Sequence, residues 1–207
     1  GKTTPLIFVG MACAYSNKGG LFNIGCEGQL YIGALAATYA ALMMHGMPRT
    51  LVLAATFSSG MLAGGLVGGL NGFLKAKLNI SEVLVAIMLN YILRFFTSYC
   101  AHGPLKDPAS SVAQTVAIGD NYMLTKLVPK SQLTTALLIG ILLAVILYFF
   151  FSKTRAGFNI RAVGENGTAA QASGIGMMGT VIMTMTVSGA LAALTGITEV
   201  LGKTGKF

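Results

Sequence analysis

The residues that could do chemistry in this sequence are few, and several lie within the stretch 21–33, LFNIGCEGQLYIG. Glu27 is the ionisable carboxylate of this stretch, and it is flanked by Asn23 and Gln29 with apolar sequence on both sides. The interior of a bilayer penalises an ionisable side chain, so such a residue must face protein or a water-filled cavity. If the flanking segments span a membrane, the stretch therefore indicates a polar pathway.

Glycines at positions 19, 20, 25 and 28 surround this carboxylate. They permit non-helical backbone, which is tolerated at membrane depth only where protein or a cavity encloses it. We therefore expect a broken helix near Glu27. The alternative is a short cytoplasmic loop in which Glu27 merely occupies the first turn of the next helix, where the helix dipole favours a carboxylate.

A second polar group interrupts the apolar run EVLVAIMLNYIL, where Asn90 and Tyr91 stand, and Arg94 follows one turn later. A buried amide needs hydrogen-bond partners, so Asn90 should face the interior of a helix bundle, either holding helices together or touching a solute. Arg94 lies near the middle of the predicted span and must pair with a carboxylate, snorkel or face water. Its candidate partners are Glu27 and Glu82.

Catalytic and metal-binding patterns are absent from the sequence. The two histidines, His45 and His102, fall in predicted loops, and there is no HExxH motif or nucleophile–base spacing. The three cysteines lack metal-ligand spacing and are interpreted as buried free thiols. The chain also has no G-x-x-x-x-G-K-[ST] phosphate loop. We predict neither an enzyme nor a metal or nucleotide site.

Composition places the chain in a membrane. Hydrophobic residues make up 54% of the sequence, charged residues make up 10%, and the mean hydropathy is +0.73, whereas soluble domains carry about 25% charged residues. The net charge of +8 comes from basic residues scattered at the ends of apolar runs, with no basic stripe for nucleic acid. The sequence therefore predicts a multi-pass protein that contacts membrane lipid and has no nucleic-acid partner.

The apolar runs define the predicted architecture, since a membrane-spanning helix needs about 20 apolar residues. They indicate an all-α, polytopic transmembrane bundle that forms a single domain over residues 1–207, with about six spans visible. The runs cover 5–16, 30–44, 51–74, 83–101, 134–152 and 179–201. Two polar connectors, 102–133 and 153–178, separate the last three runs.

Basic residues set the predicted orientation, because cytoplasmic loops carry an excess of Lys and Arg. Alternation of the loops groups the basic residues into two sets, and the denser set is predicted to be cytoplasmic. That set is Lys18, Lys75, Lys77, Lys153, Arg155 and Arg161. The opposite set is Arg49, Lys106, Lys126 and Lys130. Connector 153–178 is then cytoplasmic, and loop 102–133 is extracytoplasmic.

Two further patterns concern helix packing and helix ends. The run 51–74 carries glycine at every fourth position, which opens a groove for the close approach of another helix. These glycines are Gly60, Gly64, Gly68 and Gly72. In connector 153–178, Asn166 is placed to cap a short helix through residues 168–171 that ends at Gly174. Such a helix is either a surface amphipathic helix or a docking helix for a cytoplasmic partner.

Four motifs, taken in order, carry a family resemblance. They are LFNIGCEGQLYIGALAA, ISEVLVAIMLNYI, HGPLKDPASSVAQT and GFNIRAVGENGTAAQASGI. Together they resemble the permease subunits of bacterial ABC importers for nucleosides and simple sugars, within the superfamily of branched-chain amino acid and ribose permeases. The likeness is closest to general nucleoside permeases that work with a basic-membrane-protein type lipoprotein, and it covers nearly the whole chain.

The resemblance implies roles for particular residues. The solute pathway would be bordered by Phe22, Asn23, Glu27, Gln29, Asn90 and Tyr91. A cytoplasmic coupling helix, which fits a groove on an ATPase subunit, would centre on Arg161, Gly164, Glu165 and Asn166.

The resemblance also implies ATP-driven transport by alternating access in the bacterial cytoplasmic (inner) membrane, with no cofactor in this chain. Separate cytoplasmic ATP-binding subunits would use ATP and Mg²⁺. The other partners would be a second permease subunit and an extracytoplasmic solute-binding lipoprotein. The alternative that the residues leave open is a secondary transporter or channel with broken helices, which is not ATP-coupled.

The sequence departs from the family pattern at several points. The family has about ten spans, more than this length can hold at about 20 residues each, so we expect the domain to be incomplete at both ends. Gly167 stands where proline is common, and Cys26 stands where a small residue such as alanine is usual. Arg94 lies outside the recognised pattern, and we expect it to alter packing or solute preference.

Overall fold

The computed structural model describes residues 3–108, 112, 114–125 and 134–207, and these are mostly helical. The helices, in chain order, are α1 (Thr3–Lys18), α2 (Cys26–Met43), α3 (Arg49–Leu78), α4 (Glu82–His102), α5 (Ala136–Lys153), α6 (Arg155–Glu165), α7 (Gly167–Ala172) and α8 (Met177–Glu199). Helix α8 continues as a π-helix, Val200–Thr204, and a 3₁₀ turn covers Asp120–Tyr122. The helical membrane bundle predicted from the apolar runs is confirmed.

Four of the described helices are long and apolar enough to cross a membrane, namely α3, α4, α5 and α8 with its π-helical continuation. Helices α1 and α2 coincide with the first two predicted runs, but they have only 16 and 18 residues and do not meet the same criterion. The number of complete spans is therefore lower than the about six predicted from run length. Helix α2 is as long as α5, which has 18 residues, but its first turn carries the polar residues Glu27 and Gln29. The backbone between α1 and α2 (residues 19–25) is not helical.

Helix α8 is the centre of the bundle. It packs against α1, α2 and α3. Half of the residues in its apolar 18-residue stretch are buried (50%), compared with 11% for α5. Large exposed apolar side chains cover α5 and the outer face of α4. These two helices therefore lie at the periphery, with most of their surface available to lipid or to other membrane helices.

Small residues allow α3 and α8 to pack closely. The predicted packing glycines of α3 are all buried: Gly60, Gly64, Gly68 and Gly72. A Cβ atom on Gly64 would stand 2.7 Å from the carbonyl oxygen of Gly189, and one on Gly68 would overlap the carbonyl oxygen of Met185. Because both obstacles are backbone atoms of α8, any side chain at these positions would force the two helices apart.

The two polar connectors lie at opposite ends of the bundle. At one end, here called the α6 end, Gly164 of α6 packs against the backbone of Lys18 and Gly20, where α1 finishes. At the other end, here called the π-helix end, the N–H of Leu124 in loop 102–133 donates to the carbonyl of Leu201 at 2.9 Å. This placement agrees with the alternation of loops from which the sides were predicted.

Basic residues lie at both ends of the bundle, and two of them, Lys203 and Lys206, were outside the predicted loop sets. Lys203 and Lys206 follow α8 and lie at the π-helix end with Arg49, whose Nη2 donates to the backbone of that loop. Lys126 and Lys130, which the prediction placed on the same side, lie outside the described residues. Among the described residues, six basic residues lie at the α6 end and four lie at the π-helix end. The excess therefore remains at the α6 end, and its assignment to the cytoplasm, which the resemblance of connector 153–178 to a coupling segment also implies, stays a prediction.

Candidate functional site

The chain reverses direction after α1 and re-enters the bundle before α2 begins. Gly20 has φ +69°, a left-handed conformation that glycine adopts without steric cost. The next five residues, 21–25, are called the re-entrant segment here. It returns alongside α1, so that the sulfur of Cys26 at the start of α2 lies 3.8 Å from the sulfur of Cys13. Since Cys13 lies more than one turn before the end of α1, α2 begins inside the bundle.

The predicted helix break near Glu27 is confirmed, and its surroundings explain why it is tolerated. Leu21 and Asn23 of the re-entrant segment are each 5% exposed, whereas Phe22 and Ile24 are 60% and 47% exposed. Protein therefore covers one side of this non-helical backbone, which membrane depth requires to face protein or a cavity. Glu27 occupies the first turn of α2, where the alternative interpretation also placed it. That turn lies within the bundle, however, and not in a surface loop.

Three buried polar side chains, Asn23, Gln29 and Ser188, form what we call the amide cluster. The Nδ2 of Asn23 donates to the Oε1 of Gln29 at 2.9 Å and to the Oγ of Ser188 at 2.8 Å. The Oδ1 of Asn23 accepts from the Nε2 of Gln29 at 3.2 Å and from the N–H of Gly25 at 3.1 Å. Ser188, midway along α8, donates to the carbonyl of Ala12 at 2.7 Å. The amide cluster therefore ties the re-entrant segment to α1, α2 and α8.

Burial and complete pairing separate the amide cluster from any open surface. Asn23 and Gln29 are 5% and 1% exposed, and both amide hydrogens of Asn23 already have acceptors. The resemblance assigned both residues to the border of the solute pathway, and in the structure both are buried. A fully paired buried network of this kind fixes one arrangement of the elements that it joins. Ser188 was missed from the sequence, although a hydroxyl midway along an apolar helix is a signal that could have found it.

Asn90 of α4 holds the start of α2 from a neighbouring helix. Its Oδ1 accepts from the N–H of Gly28 at 2.9 Å, and its Nδ2 donates to the carbonyl of Ile24 at 3.0 Å. Gly25, the N-cap residue of α2, offers no side chain to the first N–H groups of the helix, so an amide from α4 supplies an acceptor. Of the two roles left open for Asn90, these contacts favour the one in which it holds helices together.

An open cavity of about 220 Å³ lies between α2 and α4, and we call it the α2–α4 groove. It is lined by Glu27, Ile87, Asn90, Tyr91 and Arg94. Glu27, Tyr91 and Arg94 are exposed, so their polar groups can reach a ligand. Phe22, the remaining residue assigned to the pathway, is 60% exposed but does not line the groove. The structure therefore brings three of the assigned residues together in one open site and adds Arg94 to them.

Neither predicted partner of Arg94 forms an ion pair with it. The carboxylate of Glu82 pairs instead with Lys75 at 3.0 Å. Glu27 faces the same groove as Arg94, but the one other ion pair among the described residues lies at the π-helix end. Those residues also contain no group of three or more His, Cys, Asp or Glu side chains that could hold a metal ion. Within the described chain, the two charges of the groove are thus open to water or to a ligand.

Connector 153–178 forms two short capped helices at the α6 end. The Oγ1 of Thr154 accepts from the N–H of Gly157 at 3.0 Å at the start of α6. The Oδ1 of Asn166 accepts from the N–H of Ala169 at 3.0 Å at the start of α7, which confirms the predicted cap. Helix α7 ends at Ala172, and Gly174, two residues later, has φ +83°. This left-handed glycine confirms the predicted helix end.

The four residues assigned to ATPase coupling occupy different environments. Gly164 packs against the end of α1, and Asn166 is engaged as the cap of α7. Arg161 is half-buried, and its Nε is buried without a partner in the described chain. Glu165 is exposed. Phe158 of the same helix was missed from the sequence, and it is a large apolar side chain that is 58% exposed.

Comparisons with known proteins extend the resemblance. The nucleoside ABC transporter permease protein NupB of Lactococcus lactis subsp. cremoris is 35% identical to this chain over 93% of the chain and 55% of that protein. The guanosine ABC transporter permease protein NupP of Bacillus subtilis is 36% identical over 97% of the chain and 58% of that protein. The glucose ABC transporter permease protein TsgB13 of Haloferax volcanii is 32% identical over 100% of the chain and 57% of that protein.

The chain thus spans a little more than half the length of these curated relatives. No solved structure matches it. A family profile described as the permease component of the branched-chain amino acid transport system matches residues 1–206. Since this match runs along almost the entire chain, including the re-entrant segment, the α2–α4 groove and connector 153–178, the chain belongs to that family of transport permease components.

Proposed function

We propose that this chain is part of the membrane-spanning permease subunit of an ATP-driven ABC importer, which moves nucleosides or related simple sugars by alternating access. The family supports this proposal, as do relatives whose names assign them to nucleoside, guanosine and glucose transport. Their identities of 35%, 36% and 32% are too similar to separate nucleosides from sugars. The choice of solute therefore depends on the site.

The observation that carries the proposal is an open, charged groove beside a helix that begins inside the bundle. Discontinuous membrane helices commonly form the solute sites of transporters, because their free ends and irregular backbone supply polar groups at depth. Glu27 and Arg94 are charged residues within an apolar bundle, where such residues usually mark a functional pathway. The exposed ring of Tyr91 offers a flat surface for a nucleobase, and the carboxylate of Glu27 offers an acceptor for sugar hydroxyls.

The α6 end is assigned to the cytoplasm, where α6 and α7 would fit a groove on an ATP-binding subunit. Glu165 and Arg161 would transmit its movement, and that subunit would use ATP and Mg²⁺. Loop 102–133 would then face the extracytoplasmic solute-binding lipoprotein. A second permease subunit would complete the pathway in the bacterial cytoplasmic (inner) membrane.

The contacts support a division into a rigid core and a movable helix. Helices α3 and α8 pack through backbone contacts at glycine, and the amide cluster joins α1 and α2 to α8. Helix α4 instead has few buried residues, and polar contacts hold it at two points, through Asn90 to the start of α2 and through Glu82, at its own first turn, to α3. We propose that α4 shifts against this core when the pathway opens to the other side.

Uptake by the reconstituted complex tests the proposed function. The full-length permease, with its ATP-binding subunits and receptor, is placed in proteoliposomes and given radiolabelled guanosine, uridine or glucose. We expect accumulation of at least one of these solutes that requires ATP and does not respond to a proton gradient. Proton-driven flux in the absence of the ATP-binding subunits would instead establish a secondary transporter.

Replacing Glu165 or Arg161 by alanine tests the coupling role. We expect ATP hydrolysis to continue while solute uptake falls by about tenfold or more, because a lost docking contact separates the two steps without unfolding the permease. Lys206→Ala is the matched control, since Lys206 is exposed at the opposite end of the bundle. Unchanged coupling in both alanine variants would remove the docking assignment.

A further inference from the structure

We infer that Arg94 is a specificity-determining residue of the α2–α4 groove, which with Glu27 selects solutes that carry a planar pair of acceptors and separate hydroxyl groups. This inference rests on the proposed function and assigns a solute chemistry to the same site. It also gives a role to a residue that departs from the family pattern.

The position of Arg94 provides the first argument. It is the thirteenth residue of the 21-residue helix α4, near the middle of a span where an unpaired guanidinium is costly. Its side chain is exposed and lines the groove with Glu27. Because a charged side chain is unfavourable in contact with lipid, Arg94 is expected to face water or a ligand. The groove provides that environment.

The pairing of the surrounding groups provides the second argument. Neither Glu27 nor Arg94 forms an ion pair or side-chain hydrogen bond within the described chain, while Glu82 is taken by Lys75. Asn90, the third polar residue of the groove, already uses its Oδ1 and Nδ2 to hold α2. Recognition therefore falls mainly on the guanidinium and the carboxylate, together with the ring of Tyr91.

The chemistry of these two groups sets the solute class. A guanidinium presents N–H donors in a rigid planar fork, which matches two neighbouring acceptors better than it matches scattered hydroxyls. The O6 and N7 atoms of guanine form such a pair, and arginine binds them with two parallel hydrogen bonds. A carboxylate accepts from hydroxyl groups, so Glu27 complements the ribose. One positive and one negative group leave the groove balanced in charge, which favours a neutral nucleoside over an anionic solute.

The volume of the groove indicates how much of a solute it holds. Small-molecule sites usually measure about 300–1,000 Å³, whereas this groove measures about 220 Å³. It therefore contacts part of a nucleoside, and the remainder lies in the adjoining pathway. Discrimination by Arg94 is accordingly expected to be moderate.

The test combines a solute that lacks the N7 acceptor with variants that lack the guanidinium of Arg94. The full-length permease, with its ATP-binding subunits and receptor, transports either guanosine or 7-deazaguanosine, which lacks the N7 acceptor. Solute concentrations saturate the receptor, so that the maximal uptake rate reports on the permease. We expect the wild-type complex to favour guanosine by about tenfold. We expect Arg94→Gln to reduce this preference to about one, and Arg94→Lys, which keeps the charge without the fork, to lose most of it.

Phe95→Leu is the matched control, because Phe95 is exposed on the same helix but does not line the groove. A preference for guanosine that survives in Arg94→Gln would overturn the inference, as would a wild-type complex that does not distinguish the two solutes. Loss of the second permease subunit from purified Arg94→Gln would also overturn it and would assign Arg94 to the subunit interface. Absence of ATP-dependent uptake of any nucleoside or sugar by the wild type would reject the proposed function itself.

Discussion

The amide cluster and the α2–α4 groove both lie beside the start of α2, yet their polar side chains differ in burial and in pairing. In the amide cluster, Asn23 and Gln29 are buried and paired with each other and with α8. In the groove, Glu27 and Arg94 are exposed and have no side-chain partner among the described residues. Sequence neighbours on one short stretch therefore serve different purposes. The polar groups that tie the helix break to the bundle are buried, and the charged groups of the groove are exposed.

The largest effect on stability is expected from Asn23→Leu in the amide cluster. The change leaves the amide of Gln29 and the N–H of Gly25 buried without their acceptor or donor, which costs about 3 kcal/mol in the free energy of unfolding. Unfolding of the purified protein in detergent, followed by circular dichroism, measures it. Asn17→Leu is the control, because Asn17 is exposed in α1. Equal stability of the two variants would mean that the amide cluster does not stabilise the break.

A somewhat smaller effect is expected from Gly68→Ala, which tests the core to which the amide cluster is attached. The added Cβ would overlap the carbonyl of Met185, and we expect overpacking to lower the unfolding free energy by about 2 kcal/mol. Gly179→Ala serves as the control, since a Cβ there meets nothing within 4 Å. If both alanine variants unfold alike, α8 is not held rigidly against α3.

Asn90→Ala probes the residue that lies between the two regions. We expect a loss of about 1 kcal/mol in the unfolding free energy, because the N–H of Gly28 loses an acceptor supplied by the neighbouring helix. Asn90→Asp retains an acceptor for Gly28 but not the donor to Ile24, so it should recover part of the loss. Unfolding and uptake are measured on the same preparations. Reduced uptake with unchanged stability would show that Asn90 touches solute instead of holding helices together.

The smallest effect on stability, and a clear effect on transport, is expected from Glu27→Gln. The side chain is exposed in the groove, so the unfolding free energy should change by less than about 0.5 kcal/mol. Uptake should fall severalfold while the complex still assembles, because a neutral amide is a weaker acceptor for hydroxyl groups. Normal uptake with Glu27→Gln would reassign the carboxylate to a structural role at the start of α2.

The sequence by itself determined the membrane environment, the helical fold and the approximate bounds of the long apolar helices. Low charge content and long apolar runs act along the chain, so they are visible without tertiary contacts. The cap at Asn166 and the helix end near Gly174 were predictable for the same reason, because an N-cap bonds to a backbone group three residues away. The glycine spacing on α3 likewise indicated a close-packed face.

Only the tertiary structure decided which polar residues are closed and which are open. Asn23 and Glu27 look equally suited to a pathway in the sequence, but Asn23 is buried and bonded to Ser188, 165 residues away along the chain, whereas Glu27 is exposed. Similarly, Glu82 forms its ion pair with Lys75 and not with Arg94. The number of complete spans also depended on how the chain re-enters the bundle after Gly20. For Asn23 the partner is distant in sequence, and hydropathy and local spacing carry no record of it. Lys75 is near Glu82 in the sequence, but only the turn between α3 and α4 brings the two side chains together.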